Sequence, residues 1–318
     1  MRLPNLSEIE AAAAVIRPTV PPTPQFVWPL LCEIAGCEVW VKHENHTPIG
    51  AFKIRGGLNY LHRLRAEGRH PAGLVSATRG NHGQSLARAA HAAGMPVTIV
   101  VPHGNSREKN AAMRAFGATL VEHGEDFEAA RAHAELLASE RGLEMVPAFH
   151  RDLVTGVATY ALELFRAVAK LDTVYVAVGM GSGICGLIAA RDALGLSTEI
   201  VGVVAAGAPA YALSFAAGAV INTERAETLA DGVACRAPSA EAFAIIKQGA
   251  ARIVRVSEAD LIGAMKTFYT TTHNLAEGAG AAGLAGLLQE RTAQRGRRCA
   301  VILSGGNIDL DQYLLLMR

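Results

Sequence analysis

Short runs of β-branched residues alternate along this 318-residue chain with longer alanine- and leucine-rich stretches, and several of the changes fall on glycine-rich turns. The β-branched runs are strand-sized, whereas the alanine-rich stretches are long enough for three or four helical turns. Strands separated by helices do not pair as hairpins; they line up parallel, with helices over the faces of the sheet. The pattern predicts strands at residues 73–77, 97–101 and 118–121, with helices from about His82 to Ala93, Arg107 to Phe116 and Phe127 to Arg141. A second series follows, with strands at 173–178, 199–204, 252–256 and 299–303 and a helix from about Gly183 to Leu194. Ser257, three residues ahead of Asp260, is placed to cap another helix. Pro147 and the polar His150-Arg151-Asp152 mark a boundary between the two series.

Four segments at the ends of these strands carry candidate chemistry. Lys53, in Ala51-Phe52-Lys53-Ile54-Arg55-Gly56-Gly57, stands where the extended stretch from Glu38 to Glu44 and its loop hand over to a helix. An apolar setting disfavours the ammonium form and frees the amine to form a Schiff base or take a proton; a solvated lysine at a helix start is the plainer alternative. Gly179-Met180-Gly181-Ser182-Gly183 follows a strand and opens a helix. Backbone N–H groups and the positive end of the helix dipole would converge there on a phosphate, although a turn needed only for packing has the same composition. Thr78, Arg79, Asn81 and His82 occupy another strand-to-helix turn, offering donors to a carboxylate, and Asn81 equally suits a helix cap. Ser304 follows the last strand at its C-terminal end, the edge where parallel sheets hold ligands.

Two further segments are less specific. Glu277-Gly278-Ala279-Gly280-Ala281-Ala282 places small residues ahead of a helix, which suits close approach to a ligand or to another helix. Gly181-Ser182-Gly183-Ile184-Cys185-Gly186 matches the dinucleotide fingerprint, yet the next strand ends in Val203-Val204-Ala205-Ala206 without the acidic residue that a ribose requires.

Composition narrows the function classes. Half the residues are hydrophobic, 19% are charged and the net charge is +1, so a compact fold is expected and nothing attracts nucleic acid or an anionic membrane. No apolar run reaches membrane-spanning length, and the first ten residues lack the apolar core of a signal peptide. Five cysteines without a C-x-x-C pair argue against disulfides and a zinc site, and for a reducing cytoplasm.

In this order, Phe52-Lys53-Ile54-Arg55-Gly56, Gly80-Asn81-His82-Gly83-Gln84, the turn from Gly179 to Gly183, Ala230-Asp231-Gly232 and Ser304-Gly305-Gly306-Asn307 resemble the fold-type II pyridoxal-phosphate enzymes. The resemblance is to the serine/threonine dehydratase, hydroxyaspartate dehydratase and serine racemase group, and it covers nearly the whole chain. It implies an α/β fold like that of the tryptophan synthase β chain, with two parallel-sheet lobes and the cofactor between them. Residues 1–70 and 148–318 would form the large lobe, and 71–147 the small one. It implies that Lys53 carries pyridoxal 5'-phosphate and moves the Cα proton, and that Phe52 packs beside the ring while Asn81 bonds the ring hydroxyl. Gly179, Met180, Gly181, Ser182 and Gly183 would cradle the phosphate, Ser304 would meet the pyridine nitrogen, and Thr78, Arg79, Asn81 and His82 would contact the substrate. The implied reaction is α,β-elimination from a β-hydroxy amino acid, giving a 2-oxo acid and ammonia. The alternatives are a serine- or aspartate-type racemase on the same fold and, more distantly, a non-catalytic binding protein. A homodimer is the assembly the resemblance implies.

Three departures from the group's pattern qualify these expectations. Arg79 stands where relatives carry a small residue, a serine in the racemases that acts as the second proton-transfer group; an arginine stays protonated and is a poor base. It would pair either with a distal polar or acidic group of the substrate or with an acidic protein neighbour. Val203 to Ala210 lacks the acidic ligands of the metal-activated relatives, so no metal site is expected. The chain ends at Arg318, leaving no room for a regulatory domain, so feedback control by isoleucine is not expected.

Overall fold

The strands sort into two separate sheets, one of six strands and one of four. The computed structural model describes residues 1–318. The chain begins with α1 (Leu6–Ile16), β1 (Gln25–Val27), α2 (Pro29–Ala35), β2 (Glu38–His43) and α3 (Lys53–Ala66). It continues through β3 (Leu74–Ala77), α4 (Asn81–Ala92), β4 (Val97–Val101), α5 (Arg107–Ala115), β5 (Thr119–Glu122), α6 (Phe127–Arg141) and β6 (Glu144–Met145). Next come α7 (Arg151–Ala167), β7 (Thr173–Ala177), α8 (Ser182–Ala193), β8 (Glu199–Ala205), α9 (Ala210–Ala217) and α10 (Ala240–Gly249). The last elements are β9 (Arg252–Val256), α11 (Glu258–Thr272), α12 (Gly278–Gln289), β10 (Arg298–Leu303) and α13 (Leu310–Met317). The larger sheet has the order β1-β2-β10-β7-β8-β9, parallel except for β1, and the smaller has the order β5-β4-β3-β6, parallel throughout.

Both sheets are covered on both faces, which is why their strands read as continuous apolar runs. On β7, Val174 and Val176 enter the core shared with α7 and α8, while Tyr175 enters the core shared with α11 and α12. In the smaller sheet Leu74 faces α3 and α4, and Val75 and Ala77 face α6. Ser257 and Asp260 form the expected reciprocal cap at the start of α11. The run from Glu277 to Ala282 is not a segment ahead of a helix but the start of α12 itself. Its glycines bring α12 against backbone: a Cβ at Gly280 would lie 2.1 Å from the Gly305 carbonyl oxygen, and one at Gly283 2.9 Å from that of Tyr175.

Helix α3 is the element that delivers Lys53, and it is gripped on two sides. A Cβ at Gly57 would sit 2.3 Å from Ser85 Oγ on α4, and one at Gly156 on α7 would sit 2.3 Å from the Arg55 carbonyl oxygen. Ahead of the helix, Ala51 bridges to Gly305 and the Phe52 N–H donates to the Ser304 carbonyl at 3.0 Å. The start of α3 is thereby fixed to the C-terminal end of β10. Beneath it Arg55, fully buried, donates to Glu44 and Glu163, and Lys42 donates to Glu163 at 2.7 Å. Two cations and Glu44 out of water, with Glu163 still 16% exposed, are tolerable only because each finds opposite charge and further hydrogen bonds.

Candidate active site

The cavity lies where the C-terminal ends of β3, β7 and β10 approach one another, with about 940 Å³ of empty space including its mouth. All twelve residues singled out in the sequence line it: Phe52, Lys53, Thr78, Arg79, Asn81, His82, Gly179, Met180, Gly181, Ser182, Gly183 and Ser304. Asp231, Gly232 and Glu277 join them.

Lys53 is the first residue of α3, and its Nζ donates to Ser182 Oγ at 2.8 Å across 129 residues of chain. Its ammonium lies 5.0 Å from the centre of the Phe52 ring. Burial lowers the amine's pKa to about 8, which makes it a far better base and nucleophile near neutral pH than an ordinary lysine.

The turn facing it is built to receive an anion. Gly181 has φ +99° and caps α8 with no side-chain hydrogen bond, so the first N–H groups of that helix lack intrahelical partners. A Cβ at Gly179 would come within 2.0 Å of the Gly232 carbonyl oxygen, so packing alone demands that glycine. Gly183 differs, because a Cβ there would meet nothing nearer than 3.5 Å. Protein packing does not require it, and it leaves open space at the helix N-terminus. Tyr211 and Tyr160 hold the turn by donating to the Met180 and Gly183 carbonyls, each at 3.2 Å.

On the opposite wall, Thr78 Oγ1 accepts from the Gly80 and Gly83 N–H groups at 3.0 and 3.3 Å and shapes the turn into α4. Asn81 is not the cap of that helix; it is the first helical residue, and its side chain is spent elsewhere. Its Nδ2 donates to Glu277 Oε1 at 2.6 Å, and its Oδ1 accepts from Asn307 Nδ2 at 2.8 Å, which fixes the orientation of the amide. Lys109 Nζ donates to Glu277 Oε2 at 3.1 Å and to Asp231 Oδ2 at 3.4 Å. Burial works against the Lys109 charge, but the two carboxylates outweigh it and hold its pKa above the usual lysine value. The His82 ring is driven the other way, by burial and then by Lys53, to a pKa of about 3, so it is neutral; its Nε2 is buried without a partner. The hydroxyl of Ser304, a residue 7% exposed, makes only a long 3.4 Å bond to the Ala279 carbonyl.

Sequence reasoning missed Lys109 and the bonding role of Glu277. Lys109 sits in the first turn of α5 behind the Ser106 cap, a position indistinguishable in sequence from that of a solvated surface lysine.

These residues fit pyridoxal phosphate. A weakly basic lysine, a helix N-terminus with an unfilled glycine cradle, an oriented amide and a neutral hydroxyl face one space. The Val203–Ala210 segment supplies no carboxylate, and no cluster of three or more histidine, cysteine, aspartate or glutamate side chains is arranged to hold a metal ion.

Comparison with known proteins agrees with the donor set. The sequence pattern described as "Pyridoxal-phosphate dependent enzyme" matches residues 16–305. An L-threo-3-hydroxyaspartate ammonia-lyase of Pseudomonas sp is 32% identical over 319 residues, covering 100% of both chains. An L-threonine ammonia-lyase of Thermotoga maritima is 32% identical over 96% of this chain and 76% of its own. The solved structure of maize serine racemase superposes with a TM-score of 0.92 at 28% identity, covering 99% of this chain and 97% of that one. With its two parallel sheets, this chain has the fold-type II architecture and belongs to the pyridoxal-phosphate dependent enzyme family.

Proposed function

We propose that the protein is a pyridoxal-phosphate dependent ammonia-lyase that converts a β-hydroxy amino acid of the threonine, serine or 3-hydroxyaspartate type into a 2-oxo acid and ammonia. The observation that carries this reading is the placement of the Lys53 amine against Ser182, at the head of the glycine cradle and across from the α4 N-terminus. Full-length similarity to ammonia-lyases supports the reaction type.

When bound, pyridoxal phosphate supplies an electron sink that makes the Cα–H bond of an amino acid breakable. The chain's own residues do the rest. The α8 N-terminus with Gly179, Met180, Gly181, Ser182 and Gly183 would hold the phosphate, with Asn81 and Phe52 placed to hold the ring. Ser304 would offer the ring nitrogen a neutral hydroxyl. Thr78, Asn81 and His82 would take the substrate carboxylate, His82 through its main-chain N–H, which as that of the second residue of α4 has no intrahelical partner. Lys53 would take the Cα proton and pass it to the β-hydroxyl, which leaves as water, and the released enamine would take up water to give the 2-oxo acid and ammonia. Racemisation needs a proton donor on the face opposite Lys53; Arg79, permanently protonated, does not shuttle one.

We assign residues 1–70 and 148–318 to a large lobe and 71–147 to a small one, with the cofactor between them. Helix α3 spans the division, since Tyr60, Leu61 and Leu64 pack into the core of the smaller sheet. We further propose a cytoplasmic homodimer. All five cysteines are free and no helix is long and apolar enough to cross a membrane. Phe26, Leu30, Leu310, Leu314 and Leu315 are exposed, and α2 and α13 both pack on α11, so an apolar surface is available to a second copy.

The test is 2-oxo acid release by the cofactor-loaded protein from L-threonine, L-serine and L-threo-3-hydroxyaspartate. Release from at least one is expected; no release from any of the three would reject the reading.

A further inference from the structure

Among the charged side chains lining the cavity, Arg79 stands apart. Lys53 donates to Ser182, Lys109 donates to Glu277 and Asp231, and Glu277 also accepts from Asn81. The Arg79 guanidinium makes no hydrogen bond. Its nearest carboxylate oxygen, Asp231 Oδ1, lies 3.9 Å from Nε, and Nε is buried without a partner. The side chain is 35% exposed, so the rest of the fork is open to whatever enters the cavity. A guanidinium is always charged and presents five donors in a plane that matches a carboxylate edge to edge.

We propose that Arg79 is the specificity determinant of the site and receives a second, distal carboxylate of the substrate, making a dicarboxylic β-hydroxy amino acid the preferred class. This rests on the ammonia-lyase reading and adds to it the residue that selects the substrate. Arg79 lies between Thr78 and the N-terminus of α4. The receptor for the α-carboxylate and the receptor for the distal one are therefore neighbours in a single turn, as a short four-carbon diacid requires. Asp231 does not forbid the exchange. When Arg79 turns to substrate, Asp231 keeps Lys109 as its partner, so no carboxylate is left bare. A neutral side chain such as that of threonine or serine leaves the fork unsatisfied, and that unmet hydrogen bonding is the source of discrimination. The competing role for Arg79 is a latch to Asp231 with no contact to substrate.

The experiment compares kcat/KM for L-threo-3-hydroxyaspartate and L-threonine in the cofactor-loaded wild type, Arg79→Met and Arg79→Lys. The wild type should favour the diacid at least tenfold. In Arg79→Met the ratio should fall by about 10- to 100-fold, mainly through KM for the diacid, as expected for losing a charge-assisted pair; Arg79→Lys should keep part of it. Calorimetric binding of succinate and of butyrate gives a second readout, with succinate favoured by the wild type and not by Arg79→Met. A ratio unchanged within threefold would overturn the proposal, and so would a parallel fall for both substrates, which would assign Arg79 to the latch. If the wild type turns over neither of these substrates nor L-serine, the ammonia-lyase reading fails separately. Arg79 is then judged by the two acids alone: equal affinities reject the assignment, and a succinate preference abolished in Arg79→Met sustains it.

Discussion

Arg55 holds Glu44 with two hydrogen bonds, from Nε to Oε2 at 2.8 Å and from Nη2 to Oε1 at 2.9 Å, and both residues are 0% exposed. Glu44 ends the loop-side extension of β2, and Arg55 lies two residues beyond Lys53, so this pair sets the depth at which the reactive lysine enters the cavity. Glu163 on α7 closes the set by accepting from Arg55 Nη1 at 2.7 Å and from Lys42. Removing one member leaves a buried charge uncompensated, at a cost of about 3–5 kcal/mol. Arg55→Met should therefore lower the unfolding free energy by that amount in urea titration. A loss below about 1 kcal/mol would show that the charges are better solvated than their burial implies.

Gly179 and Gly232 come from separate segments of the chain, and a side chain on Gly179 would intrude on the Gly232 backbone. Because a Cβ on Gly179 would lie 2.0 Å from the Gly232 carbonyl oxygen, and the obstacle is backbone, the turn itself must move in Gly179→Ala. The expected result is at least a tenfold loss of pyridoxal-phosphate affinity, measured by absorbance titration. Gly183→Ala has room with respect to protein and should fold normally; a normal cofactor affinity in that variant would remove Gly183 from the cradle.

Much of this site was legible in the sequence because its parts stand at the ends of strands, where turn glycines and an isolated lysine or serine are conspicuous. Lys53, Asn81, the turn from Gly179 to Gly183 and Ser304 are of this kind. The side chains that brace them were not. Lys109 meets Glu277 across 168 residues, and Asn307 meets Asn81 across 226, so no local spacing relates them. Helix α7 was also missed, for a different reason. Residues 153–162 are buried without interruption, which erases the 3.6-residue period, and Val154, Thr155, Val157 and Thr159 read locally as strand. The small residues opening α12 read as a segment ahead of a helix for the same reason that they pack closely: Gly283 is needed against β7 and Gly280 against the backbone that follows β10.

Lys53 gives a pH dependence with a definite sign in the cofactor-free protein. Its pKa is about 8 in the fold against 10.5 for an ordinary lysine, with burial as the cause. Below about pH 8 both folded and unfolded chains hold the proton, and the full cost of a buried ammonium is present. Between about pH 8 and 10.5 only the unfolded chain remains protonated, so this residue's contribution to stability rises with pH. Lys53→Met lacks the titration. The urea midpoint of the wild type relative to Lys53→Met should increase from pH 7.5 to pH 10; a difference independent of pH would place the amine in contact with water.

Lys109, Glu277 and Asn81 form a chain whose last member is the amide expected to meet the cofactor ring. Glu277 accepts from both neighbours, through Oε2 from Lys109 and through Oε1 from Asn81, and this fixes which end of the Asn81 amide faces which way. Lys109→Met removes the cation that donates to Glu277 Oε2 and compensates a buried carboxylate. The Glu277 carboxylate is then held by Asn81 alone and is free to shift, which loosens the acceptor that orients the Asn81 NH₂ group. Glu277→Gln alone keeps the shape and one acceptor but leaves the Lys109 ammonium with Asp231 as its one carboxylate partner. Each single variant should lose stability and cofactor affinity, and the double variant should lose less than the sum. The expected coupling is about 1–3 kcal/mol, the range for residues in one hydrogen-bonded network. Urea unfolding and cofactor titration on the four proteins of the cycle measure it directly. Additive losses would mean that Asn81 is positioned by Asn307 and the backbone alone, and that the Lys109 ion pair serves only to hold α5 against the start of α12.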